Sequence, residues 1–478
     1  MPDLHRVREL LPGSGYTVAG VRELLGPVAG GALARDEIVP ALRATRGGSP
    51  VEVLTRLFWL QVPVEAGAVT DGLVAAGLAE RSGGEVRALL RVEPLEAVGG
   101  DGHAGYAVSD LKVRPGSGGV PADDHVVGAG GASGNLARLV IHRPVDNVLD
   151  LGTGCGVQAV HLAGRSPGAR ITATDVNPRA LELAAMSFAL SGVEGAELVR
   201  GSLLEPVRGR RFDLIVSNPP FVVAPSGGRR FTYRESGMPG DDFCRRLVED
   251  AARYLNDGGY CQLLANWLHL DGVPWEERVG AWVDGCDAWI VQRDVQDPAE
   301  YAELWLRDSC EAGTPEYRAR YEAWLDHFDR QGVTGIGFGW ITLRRSDRPA
   351  VRIEELRHAV EEPVGAYVSE VLDGLAAGAE FSTGCGRTPA AAPGLVQEQI
   401  GPPGAEDPER IVLRQTGRLR RAAGVGTVEA GLAGVCDGDL PLAPLLDAIA
   451  QLTGREPDEV RAHADAVLPE LIADGFFL

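Results

Sequence analysis

The sequence predicts an α/β protein built on a doubly wound, mostly parallel sheet, with a smaller helical or winged-helix-like domain on either side. Three observations carry that expectation. Short apolar runs alternate with helical stretches between residues 147 and 266, the pattern of a parallel sheet. Several of these runs stop at glycine or a small polar group, as at Leu151-Gly152, Asp175 and Ser217-Asn218, where an open α/β sheet presents its ligand-binding edge. At 478 residues the chain exceeds one ordinary domain, and its length suggests about three.

Residues 1–112 are expected to form the first unit. Apolar positions recur at helical spacing in Thr17 to Leu25, Gly31 to Leu42, Val51 to Phe58 and Val69 to Leu78. Glu80-Arg81-Ser82-Gly83-Gly84 breaks that spacing, and Glu85 to Val92 reads as a strand after a Gly-Gly turn. Helices followed by a hairpin resemble a winged helix. With acidic residues and no basic run, packing or lidding a neighbouring site is favoured over gripping nucleic acid.

Residues 113–346 are expected to form the central domain. Val113 to Gly134, rich in Gly, Pro, Ser and Asp, reads either as a linker or as an entry that closes over a ligand, with Asp124, Ser133 and Asn135 as the candidates. A helix is expected over Asn135 to His142. Strands follow at 147–151, 170–175, 196–200, 212–217 and 259–266, with helices at 156–164, 178–191 and 241–255. A further helix (Trp275 to Cys286), a strand (Ala288 to Arg293), an insert of two helices at about 299–331 and a closing strand (Gly337 to Arg344) bring the sheet to seven strands. Seven of the eight tryptophans fall between Trp267 and Trp340, and Trp267, Trp305, Tyr317 and Trp324 are candidates to wall a substrate pocket.

Residues 347–478 are expected to form the third unit. Helical sequence runs from Ile353 to Ala379, broken or kinked at Pro363. After a Gly- and Pro-rich stretch from Gly384 to Pro408 come a strand (Arg410 to Gln415), a basic cluster (Arg414, Arg418, Arg420, Arg421) and helices Leu442 to Leu452 and Pro457 to Asp474. The apolar end, Phe476-Phe477-Leu478, is expected to dock.

Composition narrows the function classes. No apolar run approaches the roughly 18 to 20 residues of a membrane span, and the N-terminal residues lack a signal peptide's apolar segment, so a cytoplasmic protein is expected. The seven cysteines show no Cys-x-x-Cys and no recurrent Cys/His spacing, so buried thiols and no metal are expected. Net charge is −21 and Lys112 is the sole lysine, an Arg-rich bias typical of a high-GC bacterial genome. Such a field repels polyanions unless a local basic face overrides it.

The chemistry lies between Val148 and Phe221. Gly152-x-Gly154-x-Gly156 after a strand lets backbone approach a ligand and turn into a helix whose amides face it. Asp175, ending the next strand, can accept both ribose hydroxyls of an adenosine-type ligand. Asn218-Pro219-Pro220-Phe221 ends the fourth strand.

In this order and spacing, Asp150-Leu-Gly-Thr-Gly-Cys-Gly, Thr174-Asp175-Val-Asn-Pro and Asn218-Pro-Pro-Phe resemble a class I S-adenosylmethionine-dependent methyltransferase with a Rossmann-like sheet. The last motif points to the subset that methylates planar amide or amino nitrogens: release-factor glutamine, ribosomal guanine N2 and adenine N6 methyltransferases. The resemblance covers about 120–270. It implies that S-adenosylmethionine is held by Asp150, Gly152, Thr153, Gly154, Gly156, Asp175, Val176, Asn177 and Asn218. It implies catalytic roles for Asn218, Pro219, Pro220 and Phe221, the Asn218 side-chain and Pro219 backbone carbonyls accepting from a substrate NH2 while Phe221 stacks on the flat acceptor. Alignment of a weak nucleophile supplies most of the gain in such a transfer. One departure is Gly201-Ser202-Leu203-Leu204-Glu205 where the family places an acidic residue for the adenine amino group, leaving Ser202 and Leu203 as candidates.

The leading expectation is therefore an N-methyltransferase for a protein glutamine or similar amide. Ribosomal or transfer RNA is the alternative acceptor, because Arg208, Arg210, Arg211, Arg229, Arg230 and Arg234 gather around the fourth strand. A small-metabolite tailoring enzyme and a non-catalytic cofactor-binding scaffold complete the alternatives.

Overall fold

The computed structural model describes residues 2–99, 102–113, 121–225, 232–308, 314–384, 386, 388–403 and 408–478. Its centre is an eight-stranded sheet. In chain order the strands are β1 (Asn147–Leu151), β2 (Arg170–Asp175), β3 (Glu197–Arg200), β4 (Phe212–Ser217), β5 (Leu255–Leu270), β6 (Cys286–Gln296), β7 (Val333–Arg345) and β8 (Val351–Glu355). They lie side by side as β8-β6-β7-β5-β4-β1-β2-β3. Only β7 runs antiparallel to its neighbours, β5 and β6. From β1 the chain moves to β2 on one side and later to β4 on the other, so the C-terminal end of β1 is the switch point where such sheets bind ligands.

Two expectations are corrected here. The sheet has eight strands, not seven, because Val351–Glu355 pairs in parallel with β6 over the register Ala288↔Val351 to Gln292↔Glu355. The first seven residues of β6 are buried, so that strand needs a partner on each side. The sequence expected to be helical from Ile353 thus supplies a strand, and the helix is confined to Val368–Ala379. The expected start of the third unit at 347 precedes a strand of the central sheet.

Four helices flank the binding edge: α1 (Gly131–Leu139), α2 (Val157–Arg165), α3 (Pro178–Ser191) and α4 (Asp242–Tyr254). The start of α3 is specified locally: Asn177 Oδ1 accepts from Arg179 N–H at 3.0 Å, Pro178 opens the first turn, and Gly192 ends the helix in the left-handed region. The insert forms α5 (Pro298–Asp308) and α6 (Tyr317–Gln331), packed around Tyr301, Trp324 and Phe328.

The N-terminal unit has helices Pro2–Gly13, Val18–Leu33 and Ala68–Ala75 and a three-stranded sheet turning at Gly83-Gly84, as a winged helix does. The strand expected over Glu85 to Val92 is two. Glu85–Ala88 stays in the wing, whereas Arg91–Glu96 pairs with His103–Ser109, a strand not foreseen. This second hairpin lies against α3, where Ser191 Oγ accepts from Tyr106 N–H and Ser187 Oγ from Val108 N–H, both at 2.8 Å. The result is one continuous apolar core containing Leu4, Tyr16, Phe58, Tyr106, Val160, Phe188 and Tyr260.

The C-terminal unit has its own core of Leu413, Leu432, Leu446, Leu468, Phe476 and Phe477, so the apolar end docks as expected. Its antiparallel sheet (Leu395–Ile400, Arg410–Gln415, Ala422–Val425) packs on helices Thr427–Val435, Leu442–Thr453 and Pro457–Ala473. A buried Arg421 joins it to the central sheet through Glu354. Among the described residues no helix is long and apolar enough to cross a membrane.

Candidate functional site

At the switch point the structure opens a cavity of about 220 Å³ between the glycine loop, the ends of β2 and β4, and two covering segments, 125–128 and 232–236. The glycine loop is held from behind. Asp150, 1% exposed, accepts at Oδ2 from the Thr153 hydroxyl at 2.7 Å and from Ala159 N–H at 3.1 Å. Burial pushes its carboxyl up to about 6, and only the two hydrogen bonds oppose that. Gly152 and Thr153 N–H both donate to Thr174 O at 2.9 Å, tying the loop to β2. Gly156 must be glycine: its φ is +84°, and a Cβ there would stand 2.8 Å from the Phe188 ring on α3.

Asp175 faces the cavity half-buried. Its Oδ2 accepts from Gly154 N–H at 3.0 Å and its Oδ1 from Asn177 N–H at 2.9 Å, leaving each oxygen a lone pair for a ligand hydroxyl. Burial raises its carboxyl above the ordinary range. Two buried polar atoms on the lining lack partners, Thr174 Oγ1 and Gln158 Oε1, and a polar ligand would satisfy both. The donor set therefore fits an adenosine-type cofactor. Burial lifts the Cys155 thiol to about 12, which removes it as a nucleophile at neutral pH.

All the expected cofactor residues, Asp150, Gly152, Thr153, Gly154, Gly156, Asp175, Val176, Asn177, Ser202, Leu203 and Asn218, gather here, and all but Gly156 line the cavity. Leu203 reaches it from a strained backbone with φ +48°. The Asn177 side chain is spent on structure, capping α3 and donating from Nδ2 to Asp124 O at 2.8 Å.

The Asn-Pro-Pro-Phe turn divides. Asn218, Pro219 and Pro220 line the cavity, and the Asn218 side chain makes no hydrogen bond among the described residues. Phe221 does not line it. Its N–H donates to Pro219 O at 2.8 Å, and its ring turns edge-on to Trp305, with centroids 6.4 Å apart. Behind the turn the buried Tyr301 hydroxyl accepts from Val223 N–H at 3.0 Å and from Asn266 Nδ2 at 2.9 Å, so the insert braces the motif. The aromatic rings on the lining are instead Tyr233 and Phe243.

Several candidates fall elsewhere. Trp267 and Trp324 are core, and neither they nor Trp305 and Tyr317 line the cavity. Of the three entry-segment candidates, Ser133 lines it, Asp124 contributes through its carbonyl to Asn177, and Asn135 is exposed, accepting from Arg138 at 2.6 Å. The described arginines do not make one face: Arg208, Arg210 and Arg211 precede β4, roughly 20 Å from Asn218 at about 3.3 Å per residue. Arg210 is paired with Glu197, and Arg234 is 3% exposed, donating to Trp305 O at 2.8 Å. Arg229, Arg230, Cys310, Cys385 and residues 114–120 lie outside the described residues; the other five cysteines are free and buried. Sequence reading missed His125, Val126, Gly128, Tyr233, Glu235 and Phe243, which come from loops and a helix start without a motif.

Residues 132–271 match the family model described as methyltransferase small domain, and 13–89 match one described as a domain of unknown function. Over 182 residues the chain is 33% identical to the ribosomal protein uL3 glutamine methyltransferase of Bradyrhizobium diazoefficiens, covering 34% of this chain and 57% of that protein. It is 39% identical over 145 residues to the release factor glutamine methyltransferase of Deinococcus radiodurans, covering 28% and 51%. It is 33% identical over 161 residues to the ribosomal RNA small subunit methyltransferase C of Citrobacter koseri, covering 34% and 42%. The chain thus spans about half the length of the curated relatives it matches. Residues 132–271 are similar to a methyltransferase small domain, and all three relatives are named as methyltransferases.

Proposed function

We propose that the chain transfers a methyl group from S-adenosylmethionine to a planar amide nitrogen, that of a protein glutamine. The observation that carries this reading is the Asn218 side chain, free of internal partners at the wall of a cavity that also presents Asp175 and the glycine loop. Bound there, the cofactor supplies an electrophilic methyl on a sulfonium. Asp175 would hold its ribose, and the backbone of Gly152 to Gly154 would lie against it. Asn218 Oδ1 accepts from one N–H of the acceptor. Pro219 O, with one lone pair taken by Phe221 N–H, keeps another for the second N–H. The nitrogen lone pair is then turned towards the methyl, so that the N–C bond would form as the S–C bond breaks to leave a neutral thioether. The proton shed by the nitrogen would pass along its hydrogen bond to Asn218 Oδ1 and on to solvent. Tyr233 and Phe243 take the place expected of Phe221 against the flat acceptor, while segments 125–128 and 232–236 keep water out.

A ribosomal RNA acceptor is the second reading, favoured by the likeness to ribosomal RNA small subunit methyltransferase C, whereas Arg208, Arg210, Arg211 and Arg234 line no part of the cavity and neither do the insert's tryptophans. The test is incubation of a bacterial lysate with labelled S-adenosylmethionine and either wild type or Asn218→Ala. Label should enter protein, and Asn218→Ala should bind cofactor normally while transfer falls roughly a hundredfold or more, as when one aligned polar group is lost. Label in RNA, or normal transfer by Asn218→Ala, overturns the reading.

A further inference from the structure

The N-terminal unit reaches the cavity through two carboxylates that the motifs do not include, one partly buried and one buried. Asp110, just after the strand His103–Ser109, accepts at Oδ2 from Val126 N–H at 2.8 Å, and Asp110 N–H returns a bond to Val126 O at 3.1 Å. Both oxygens of Asp110 also accept from Arg179 Nε, at 2.9 and 3.0 Å. Val126 lines the cavity on its covering segment, and Arg179 lies in the first turn of α3, two residues after Asn177. A second anchor lies close by: Glu93, 5% exposed and paired with Arg91, accepts at Oε2 from Ala129 N–H at 3.1 Å. Gly128 lies so close against it that a Cβ would sit 2.1 Å from Glu93 Oε2.

We propose that Asp110 is a positioning residue for the cofactor. One carboxylate fixes the covering segment and the ribose-side loop relative to each other, making the N-terminal unit a working part of the site. The inference rests on the cavity being the cofactor site. Asp110 does not line the cavity; it acts through Val126 and through Arg179 beside Asn177. A partly buried carboxylate that makes several charge-assisted bonds at once fixes its partners' relative geometry, because each bond constrains the others.

The test uses the full chain carrying Asp110→Ala, with S-adenosylhomocysteine as the calorimetric probe and hydrogen exchange on the ligand-free protein. Affinity should fall about tenfold to a hundredfold, the range for removing a group that orients a binding residue. The cofactor KM should rise while the acceptor KM stays. The amides of Val126 and Ala129 should lose protection while those of β1 keep theirs. Asp110→Asn, which retains an acceptor for Val126, should recover part of the protection. If Asp110→Ala does not fold, Gly128→Ala, which displaces the same segment by collision with Glu93, should weaken binding comparably. A folded Asp110→Ala, or failing that a folded Gly128→Ala, that binds within twofold of wild type with Val126 still protected overturns the proposal. If wild type binds no probe, the cofactor reading falls, and the exchange measurements alone decide whether Asp110 holds the segment.

Discussion

The two flanking units are built alike, helices with a small β wing, yet they stand in different relations to the central sheet. The N-terminal unit has no core of its own: Tyr16 and Phe58 belong to the same apolar cluster as Val160 and Phe188 of the sheet's helices. Tyr16 OH donates to Val92 O at 2.7 Å, and Tyr106 OH donates to Tyr16 O at 2.8 Å, so the helices and the second hairpin interlock. The C-terminal unit closes a second core around Leu446 and Phe476, while its helix Val368–Ala379 and Leu419 join the cluster shared with the sheet, beside polar links such as Arg421 with Glu354. The extent of continuous buried apolar surface, rather than likeness of shape, sets how closely each flank is joined to the central sheet.

The largest effects should come from opening either core. Tyr16→Ala and Phe476→Ala should each cost roughly 3 to 5 kcal/mol, the usual penalty for truncating a buried aromatic. Only Tyr16→Ala should also weaken S-adenosylhomocysteine binding. Denaturation followed by calorimetry checks both, and a matching loss of affinity in Phe476→Ala would break the comparison.

A smaller effect concerns pH. The carboxyl of Asp150 sits at about 6 in the folded chain and near the ordinary value of about 3.9 when unfolded, so the folded state binds the proton more tightly. Stability from this group is complete below about pH 4 and is lost as pH rises through about 6, at about 1.4 kcal/mol per unit and so roughly 3 kcal/mol in all. Asp150→Asn should flatten that slope. In pH-resolved hydrogen exchange the flattening should appear together in β1 and in helix Val18–Leu33, and not in helix Pro457–Ala473. Separate behaviour of β1 and the N-terminal helix would mean that the shared core is not one cooperative unit.

The smallest effect is expected at the C-terminal surface. Arg414 and Glu398 pair at 2.7 Å between neighbouring strands at the surface. Exposed pairs contribute little. Arg414→Ala should leave the denaturation midpoint and the cofactor affinity unmoved.

How much of this was legible in sequence depends on where each signal is stored. The strands at 147–151, 170–175, 212–217 and 410–415 agree with the structure to the residue, because an apolar run bounded by turn residues is a local signal. The glycine loop, Asp175 and Asn218 were legible for the same reason. Val351–Glu355 was not: Val-Arg-Ile-Glu-Glu-Leu-Arg fits a helical period as well as a strand, and only the open edge of β6 settles it. Phe221 keeps its place in the motif but does not line the cavity, since a ring 84 residues later in the chain, Trp305, meets its edge. Asp110 and Glu93 carry no motif at all, because their partners Arg179 and Ala129 are set by tertiary packing.

The interlock with α3 also bears on how the chain is made. The hairpin that ends at Ser109 leaves the ribosome well before α3, whose last residue is Ser191. At about 5 to 20 residues per second, the roughly 80 intervening residues take on the order of 4 to 16 seconds. Throughout that interval the faces of Tyr106 and Val108 that later rest on α3 have no covering surface. The nascent N-terminal unit thus exposes apolar surface for longer than the core around Leu446, whose residues lie close together in sequence.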